Sequence, residues 1–408
     1  MKTGIEALTA EFWAWVREHA GESAVSLAPE ARKVMDADTA ALALTQVQAR
    51  HKARGKLGPL PERCPEFLFP SALLAEQCTA WAVARFNAQA MGIMPGTSLL
   101  DITFGLGLDA FAAAEAGARV TGVDIDAKAA RAGRHNAAAL GLDVCVHCAD
   151  AIEWMGDAKE RGERFDVVFA DPARRREGGG RAYAFSDCRP DLGRILMMAP
   201  KVTGRLVVKA SPMLDVDAVM RVVPQANMLW CVGLRGECKE ILLVCDFGSA
   251  GRELGMAELD GLGDAVTLRR SWPRQSSGRV QGTLPQEGAW LCLPSAALAK
   301  ARLQRVTMEC WTGLLPVREE RSIYTAGSRP EGFPGRCLYI NKVYGSLREA
   351  ARALKGEAAN VACFDYGLSP EALCKKLGLR PLGDDSRLVV GLLAGRRRLV
   401  LDCLNGES

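Results

Sequence analysis

The chain has 408 residues, of which 49% are hydrophobic and 25% are charged, and these values predict a globular protein of two or three domains. Its formal net charge of +4 is too small to indicate nucleic acid by itself. The 14 cysteines are scattered, which argues against a short disulfide-stapled domain, and no apolar run approaches the ~20 residues of a membrane span. We therefore expect a cytoplasmic protein with reduced thiols, no signal peptide and no membrane segment.

Residues 1–92 form the first region, which the pattern predicts to be helical. Apolar side chains recur at helical spacing from Ile5 to Val16, and a further helix is expected at 73–90. Between these lies a basic, proline-containing stretch at 50–63. We interpret this stretch as a solvated linker, with contact to a polyanion as the alternative.

Short apolar runs alternate with helical segments from residue 93 to about 250. Strands are expected at 98–102, 119–123, 144–147, 165–170 and 205–209. Two later runs, at 228–232 and 241–246, are expected to pair antiparallel at one edge. This alternation predicts an α/β fold in which a parallel sheet carries helices on both faces.

The remainder of the chain falls into two parts. Residues 251–288 are rich in glycine, arginine and serine, and we interpret them as a connecting segment or a small β piece. Residues 289–408 are expected to form a separate, smaller α/β domain with helices near 296–303 and 370–377.

The strongest local signal is the turn DITFGLGLDA at 101–110, which follows a strand and opens a helix. Glycines in such a turn let a ligand approach the backbone, although the pattern also fits any nucleotide site or tight strand-to-helix packing. Asp101 lies four residues before Gly105. A dinucleotide site needs this helix end for a pyrophosphate, whereas S-adenosylmethionine has no phosphate and carries a sulfonium cation. The acid therefore favours S-adenosylmethionine over a nicotinamide dinucleotide.

Three further acids follow the next three strands of the predicted sheet. Asp124, Asp150 and Asp171 each come directly after an apolar run. Open α/β sheets bind ligands at the carboxyl ends of their strands, so we expect these side chains to share one site. Asp124 is placed to accept the ribose hydroxyls and Asp150 to meet the adenine amino group.

Residues 97–246 resemble a class I S-adenosylmethionine-dependent methyltransferase. More narrowly, the chain resembles a bacterial methyltransferase family whose C-terminal part is called a THUMP-like domain. The narrower resemblance rests on DPARR at 171–175, KASPMLD at 209–215, ECKE at 237–240, FPGR at 333–336 and ANV at 359–361. It implies a Rossmann-like seven-stranded sheet, an N-terminal helical region, a smaller C-terminal domain, and methylation of RNA.

The resemblance also implies a set of site residues. Those expected to bind the cofactor are Asp101, Thr103, Phe104, Gly105, Gly107, Asp124, Ile125, Asp150 and Ala151. Those expected to act on or hold the acceptor are Asp171, Pro172, Ala173, Arg174, Arg175, Arg176 and Lys209.

The motif after the fourth strand bears on the acceptor. Methyltransferases for base amines usually carry Asp/Asn-Pro-Pro-aromatic here, but Ala173 and Arg174 replace the last two residues. Our hypothesis is that Asp171 polarises an acceptor amine, helped by the Pro172–Ala173 backbone, while arginine stacks on a base or grips a phosphate. Lys209 faces either the substrate or only the end of the sheet.

Several alternatives stay open at this point. The chain could methylate a protein or a small molecule, bind RNA without catalysis, or act in assembly through its terminal domains. The pair Cys145-x-x-Cys148 has metal-ligand spacing, but it lies in an expected strand whose residues three apart face opposite sides, so no metal site is expected. The RNA species, the methylated atom and the oligomeric state are not indicated by the sequence.

Overall fold

The computed structural model describes residues 8–174, 188–261, 264–272, 282–318 and 321–406. Within these ranges the N-terminal region is helical, as predicted. Its helices are α1 Ala10–Glu18, α2 Ala24–Val34, α3 Ala37–Lys52, α4 Leu60–Arg63, α5 Ala72–Gln77 and α6 Trp81–Met91. The side chains of Thr9, Asp36 and Ser71 cap α1, α3 and α5 by accepting backbone N–H bonds that the first turn leaves free.

The basic stretch at 50–63 is packed rather than solvated at its first residue. The Arg50 guanidinium lies 5.5 Å from the ring centre of Trp13 and 5.7 Å from that of Phe69. It donates to the backbone oxygens of Pro65 and Phe67, and its burial lowers the pKa of Arg50 to about 10. The interpretation as a solvated linker is therefore wrong for this arginine.

Two buried amides fasten the segment before α5 to the rest of the molecule. Gln46 exchanges hydrogen bonds of 2.9 and 3.0 Å with the backbone of Phe69. Asn136, on a helix of the next region, does the same with the backbone of Leu68 at 2.7 and 2.9 Å. The N-terminal helices are thus docked on the sheet domain by specific polar contacts as well as by apolar packing.

The central region alternates strands and helices. Its elements are β1 Ser98–Asp101, α7 Leu108–Glu115, β2 Arg119–Asp124, α8 Ala127–Leu140, β3 Val144–Cys148, α9 Ala151–Glu160, β4 Val167–Ala170, β5 Ala173–Arg174, β6 Cys188–Arg189, α10 Leu192–Val202, β7 Arg205–Ala210, α11 Val216–Val222, β8 Met228–Leu234 and β9 Glu237–Asp246. Aspartates at 126, 150, 191 and 215 cap α8 to α11, which explains where these helices begin.

The seven expected strands form one sheet in the order β3-β2-β1-β4-β7-β9-β8. Neighbours are parallel from β3 to β7, and β9 runs antiparallel to both β7 and β8. All four residues of β4 are buried, because helices cover both faces of the sheet. The predicted Rossmann-like α/β fold is confirmed.

Two further strands widen this sheet. They are β10 Glu253–Leu259, parallel to β8, and β11 Ala265–Ser271, antiparallel to β10. Both lie in the segment 251–288, so the sheet has nine strands where seven were expected. Four consecutive residues of β10 are buried, so this strand shows no alternation, and β11 alternates with only Leu268 buried. The apolar pattern of these two strands in the sequence is therefore weak.

The C-terminal part is a second sheet domain. Its elements are β12 Trp290–Pro294, α12 Ala296–Ala301, α13 Gln304–Cys310, β13 Leu315–Arg318, β14 Ile323–Ala326, β15 Gly335–Tyr344, α14 Leu347–Leu354, β16 Asn360–Phe364, α15 Pro370–Leu377, β17 Arg387–Ala394 and β18 Arg397–Asn405. The strand order is β13-β14-β12-β15-β18-β17-β16, and only β16 and β17 pair in parallel.

A continuous apolar core joins the two sheet domains. It runs from the central sheet through Ala297 and Leu298 of α12 to Tyr324 and Phe333. A Cβ added to Gly233 of β8 would lie 2.9 Å from the Cβ of Ala297, so the contact is close. Among the described residues, none of the helices combines the length and the apolarity that crossing a membrane requires.

Candidate active site

A cavity of about 2240 Å³ lies at the carboxyl ends of the central strands. The loops after β1, β2, β3, β4 and β7 supply part of its wall, as the sequence predicts. The N-terminal region supplies another part, including Thr79 and Arg85. The cavity is therefore shared between two regions of the chain.

The two glycines of the first loop have different surroundings. Gly107 has φ of 83°, and a Cβ there would lie 2.5 Å from the Phe104 ring. Gly105 has φ of 55°, and a Cβ there would meet only one atom within 4 Å, the Thr103 oxygen at 3.8 Å. Gly107 is thus needed for packing, whereas Gly105 leaves open space beside the cavity.

Phe104 was expected to line the methionine side of the cofactor, and it is one of the residues that line the cavity. Most of its ring lies in the core beneath the loop, only 3% exposed, against Gly107, Gly122 and Gly133. Its part in the site is therefore to support the glycine turn.

Asp101 ends β1 and is 2% exposed. Its Oδ1 accepts a hydrogen bond of 3.0 Å from the Thr103 N–H. Burial raises the pKa of Asp101 to about 8, and the nearby carboxylates of Asp109, Asp124 and Asp171 raise it further against the hydrogen bond. A cation bound beside this group would favour its ionised form.

Asp124 ends β2 and is held from two sides. Its Oδ2 accepts from the Gly105 N–H at 2.7 Å and its Oδ1 from the Asp126 N–H at 2.8 Å. Each carboxylate oxygen has a second lone pair, so the group can still accept from two hydroxyls. The next residue, Ile125, is 74% exposed at the cavity and offers an apolar surface for a flat ring.

Asp150 is the N-cap of α9. Its Oδ1 accepts from the backbone N–H groups of Ile152 at 2.8 Å and Glu153 at 3.1 Å. Asp150 and Ala151 also line the cavity, so capping and ligand contact are compatible here.

Asp171 follows β4 with an exposed side chain. Its backbone N–H donates to Thr103 Oγ1 at 2.6 Å, which ties the fourth strand end to the glycine loop. Pro172 and Ala173 line the same cavity. The side chain of Arg174, and Arg175 and Arg176 entirely, fall outside the described residues.

Lys209, at the end of β7, is the centre of a buried group of charges. Its Nζ lies 2.7 Å from Asp171 Oδ2, 2.7 Å from Thr79 Oγ1, 3.4 Å from Asp109 Oδ2 and 3.6 Å from Glu240 Oε2. Burial by itself would lower the pKa of Lys209, but the three carboxylates raise it well above its ordinary value. We call Lys209, Thr79, Asp109, Asp171 and Glu240 the Lys209 cluster.

Sequence reasoning missed three members of this cluster. Asp109 was seen only as the opening of a helix, and Thr79 lies in the N-terminal region. Glu240 belongs to the stretch ECKE at 237–240, in which Glu237 and Lys239 form an exposed pair at 2.5 Å, whereas Glu240 is 6% exposed. The available signal was a charged residue in a strand. Whether such a side chain points into the protein or into solvent depends on the register of the strand.

The charged residues that line the cavity fall into a buried group and an exposed group. Asp101, Asp109 and Glu240 are 2%, 8% and 6% exposed, and Lys209 lies among them. The exposed basic side chains of the lining are Arg54, Arg85, Arg189, Arg194, Arg235 and Lys239. The cavity thus combines an acidic interior with a largely basic opening.

The described part of the chain holds no group of three or more His, Cys, Asp or Glu side chains placed to bind a metal ion. Cys145 Sγ lies 3.5 Å from His147 Nε2, while Cys148 Sγ points to the Ile125 oxygen at 3.9 Å, so the two sulfurs face different neighbours.

Sequence similarity to known proteins includes the loops that form the cavity. Residues 99–174 match the family described as "Methyltransferase domain". This part of the chain is similar to a methyltransferase domain. It contains the glycine turn, Asp124, Asp150 and Asp171, so the matched segment and the cavity share the same strand ends.

Similarity extends well beyond the matched domain. Two curated relatives, each named an uncharacterized S-adenosylmethionine-dependent methyltransferase, come from Mycobacterium tuberculosis strains CDC 1551 and H37Rv. Each is 29% identical over 346 residues, which is 81% of this chain and 87% of the relative. The predictions of an enzyme, and of S-adenosylmethionine as its cofactor, are confirmed.

A solved structure shares the whole fold. A protein from Porphyromonas gingivalis W83, assigned by name to the methyltransferases, superposes with a TM-score of 0.80 at 22% identity and covers 99% of both chains. The methyltransferase domain therefore has the same architecture around it in that protein, including the helical start and the second sheet.

Proposed function

We propose that the chain transfers the methyl group of S-adenosylmethionine to an amino nitrogen of RNA in the cytoplasm. The observation that carries the proposal is the position of the Asp171 carboxylate, which stands at the cavity beside the glycine loop and is held by Lys209 at 2.7 Å.

The loops after β1, β2 and β3 are the cofactor half of the cavity in this proposal. The methionine part would lie along Gly105 and Asp101, the ribose on Asp124, and the adenine between Ile125 and Asp150. The buried carboxylates suit a ligand with ammonium and sulfonium charges, and the open side of Gly105 allows close approach of its backbone.

The loops after β4 and β7, with Thr79 and Glu240, are the acceptor half. When bound, S-adenosylmethionine supplies the reactive methyl group, so the protein's contribution is position and electrostatics. Lys209 occupies Asp171 Oδ2, which leaves Oδ1 to accept a hydrogen bond from an acceptor N–H. This contact orients the nitrogen and stabilises the positive charge that it gains.

The size and charge of the cavity support RNA as the acceptor. A volume of about 2240 Å³ exceeds the ~300–1000 Å³ of ordinary small-molecule pockets. Exposed basic side chains at the opening would bind phosphates, while the acidic interior would receive the cofactor and one base. Arg174, Arg175 and Arg176 would add to the phosphate or base contacts.

We further propose a division of labour along the chain. Residues 1–92 wall the cavity, 93–250 carry the chemistry, 251–288 extend the sheet and connect it, and 289–408 form the THUMP-like domain that holds RNA outside the cavity. None of the fourteen cysteines, all of which lie in the described part of the chain, forms a disulfide, which fits the reducing cytoplasm.

The acceptor class is tested with methyl-labelled S-adenosylmethionine and the full chain. We expect label in cellular RNA, and we expect ribonuclease treatment beforehand to abolish it. Asp171→Asn should lower turnover at least 100-fold while affinity for S-adenosylhomocysteine stays within threefold. The matched control is Asp215→Asn, a helix N-cap that asparagine serves equally well.

Other outcomes would redirect the proposal. Label in protein or in small molecules, unaffected by ribonuclease, would favour those acceptor classes instead. Full turnover by the Asp171→Asn variant would contradict the role given to this carboxylate.

A further inference from the structure

The Lys209 cluster contains three carboxylates for one ammonium. Lys209, Asp109 and Glu240 are 8%, 8% and 6% exposed, so most of this charge is buried. A buried charge without compensation is costly, which means that the excess negative charge calls for a proton or for another cation.

Glu240 is the least satisfied member. Asp109 accepts hydrogen bonds from Thr79 and Asn87 at 2.8 Å each, and Asp171 lies 2.7 Å from Lys209. Glu240 Oε2 is 3.6 Å from Lys209 Nζ, beyond hydrogen-bond distance, and its buried Oε1 has no hydrogen-bond partner in the described structure. A proton bound by the cluster is therefore best placed on Glu240.

Methyl transfer changes the charge of the cofactor. S-adenosylmethionine carries an ammonium, a carboxylate and a sulfonium, so its net charge is +1. When the bond from sulfur to the methyl carbon breaks and the bond from the acceptor nitrogen forms, sulfur keeps the electron pair. The product S-adenosylhomocysteine is a neutral thioether with net charge zero.

We propose that the Lys209 cluster distinguishes the cofactor from its demethylated product by charge, and that Glu240 is the member whose proton sets the strength of this preference. The inference rests on the proposed function, because the cofactor must lie in the cofactor half of the cavity. Its direct consequence is that S-adenosylmethionine loses part of its binding advantage over S-adenosylhomocysteine when Glu240 is protonated.

The direction of the pH dependence follows from the groups around Glu240. The pKa of Glu240 is raised to about 7, mainly by burial. Lys209 and a hydrogen bond with the uncharged amide of Asn87 oppose this rise, whereas the carboxylates of Asp109 and Asp171 add to it. As pH rises through 7, Glu240 loses its proton and the cluster becomes more negative. The sulfonium is then bound more strongly, whereas the thioether is little affected.

Calorimetric titration of the full chain with both ligands, at pH 6 and pH 8.5, tests this inference. The quantity compared is the ratio of the Kd of S-adenosylhomocysteine to that of S-adenosylmethionine. The amino group common to both ligands cancels from this ratio. We expect Glu240 to raise the ratio roughly threefold to tenfold with pH in the wild type. About tenfold is the upper limit, because a group with a pKa of about 7 is roughly ten times more ionised at pH 8.5 than at pH 6.

Two variants separate Glu240 from its neighbours. Asp101, whose pKa is about 8, also gains negative charge over this range, so Glu240→Gln should keep a rise that is clearly smaller than that of the wild type. Asp109→Asn removes a carboxylate of the same cluster but keeps Glu240, and it should keep the rise.

Each contrary result has a distinct meaning. No rise in the wild type, or an equal rise in Glu240→Gln, would overturn the inference while leaving the proposed function intact. The absence of a rise in the wild type would be decisive by itself, so the inference can be overturned even if a variant does not fold. Failure of both ligands to bind would overturn the proposed function, and the inference with it.

Discussion

The two halves of the cavity are built in different ways. In the cofactor half, backbone N–H groups close in sequence hold the carboxylates, as residues 103, 126, 152 and 153 do for the acids at 101, 124 and 150. In the acceptor half, side chains hold one another across long distances in sequence, from Thr79 to Glu240. Local backbone bonding makes a site that is recognisable from a motif, whereas a side-chain cluster depends on the completed fold.

The variant with the largest expected effect tests whether the acceptor half depends on the Lys209 ammonium. Lys209→Met would leave Asp109, Asp171 and Glu240 without their ammonium, so we expect the free energy of unfolding to fall by about 3–5 kcal/mol. Lys239→Met is the control, because its exposed pair with Glu237 contributes about 0–1 kcal/mol. Urea unfolding measures both, and similar losses in the two variants would show that the cluster is not held by Lys209.

The next effect tests the cofactor half. Asp124→Ala removes the acceptor for two ribose hydroxyls and for the Gly105 N–H, so affinity for S-adenosylhomocysteine should fall about 100-fold. Asp126→Ala removes only the cap of α8 and should keep affinity within threefold. Calorimetric titration compares the two, and equal losses would place the ribose elsewhere.

The smallest effects are expected for the two glycines of the loop after β1, where one substitution affects packing and the other affects binding. Gly107→Ala should lower the free energy of unfolding by about 2–4 kcal/mol, because the new Cβ clashes with Phe104 at a left-handed position. Gly105→Ala should cost only about 1–2 kcal/mol but should weaken cofactor binding more, because its Cβ enters the open space.

Thermal unfolding and ligand titration of this pair give the result. If Gly105→Ala loses more stability and Gly107→Ala loses more affinity, the roles assigned to the two glycines are reversed.

Sequence reasoning reached the fold, and the strand-end acids that line one cavity, for the same reason. Alternating strands and helices, and acids at strand ends, are local patterns with one dominant structural outcome. Phe104 shows the limit of this reasoning, since it stands inside the motif but its ring packs beneath the loop.

The acceptor half was harder to predict for a physical reason. Glu240 and Lys239 are adjacent charged residues. Only the register of β9 against β8, which pairs Glu240 with Val232 and shifts at Lys239, accompanies the burial of the first and the exposure of the second. Thr79 reaches Lys209 through docking of the N-terminal helices, which no local pattern encodes. The strands β10 and β11 are recognised only once β8 offers an edge for them.

The reach of the Lys209 cluster along the chain has a consequence for synthesis. The loops assigned to the cofactor are complete once the ribosome has made Ala151, but the buried lysine has all its carboxylates only after Glu240 has emerged. At ~5–20 residues per second these events are separated by roughly 4 to 18 seconds. A nascent chain therefore passes through an interval in which it has the means to hold the methyl donor before the place for the acceptor exists.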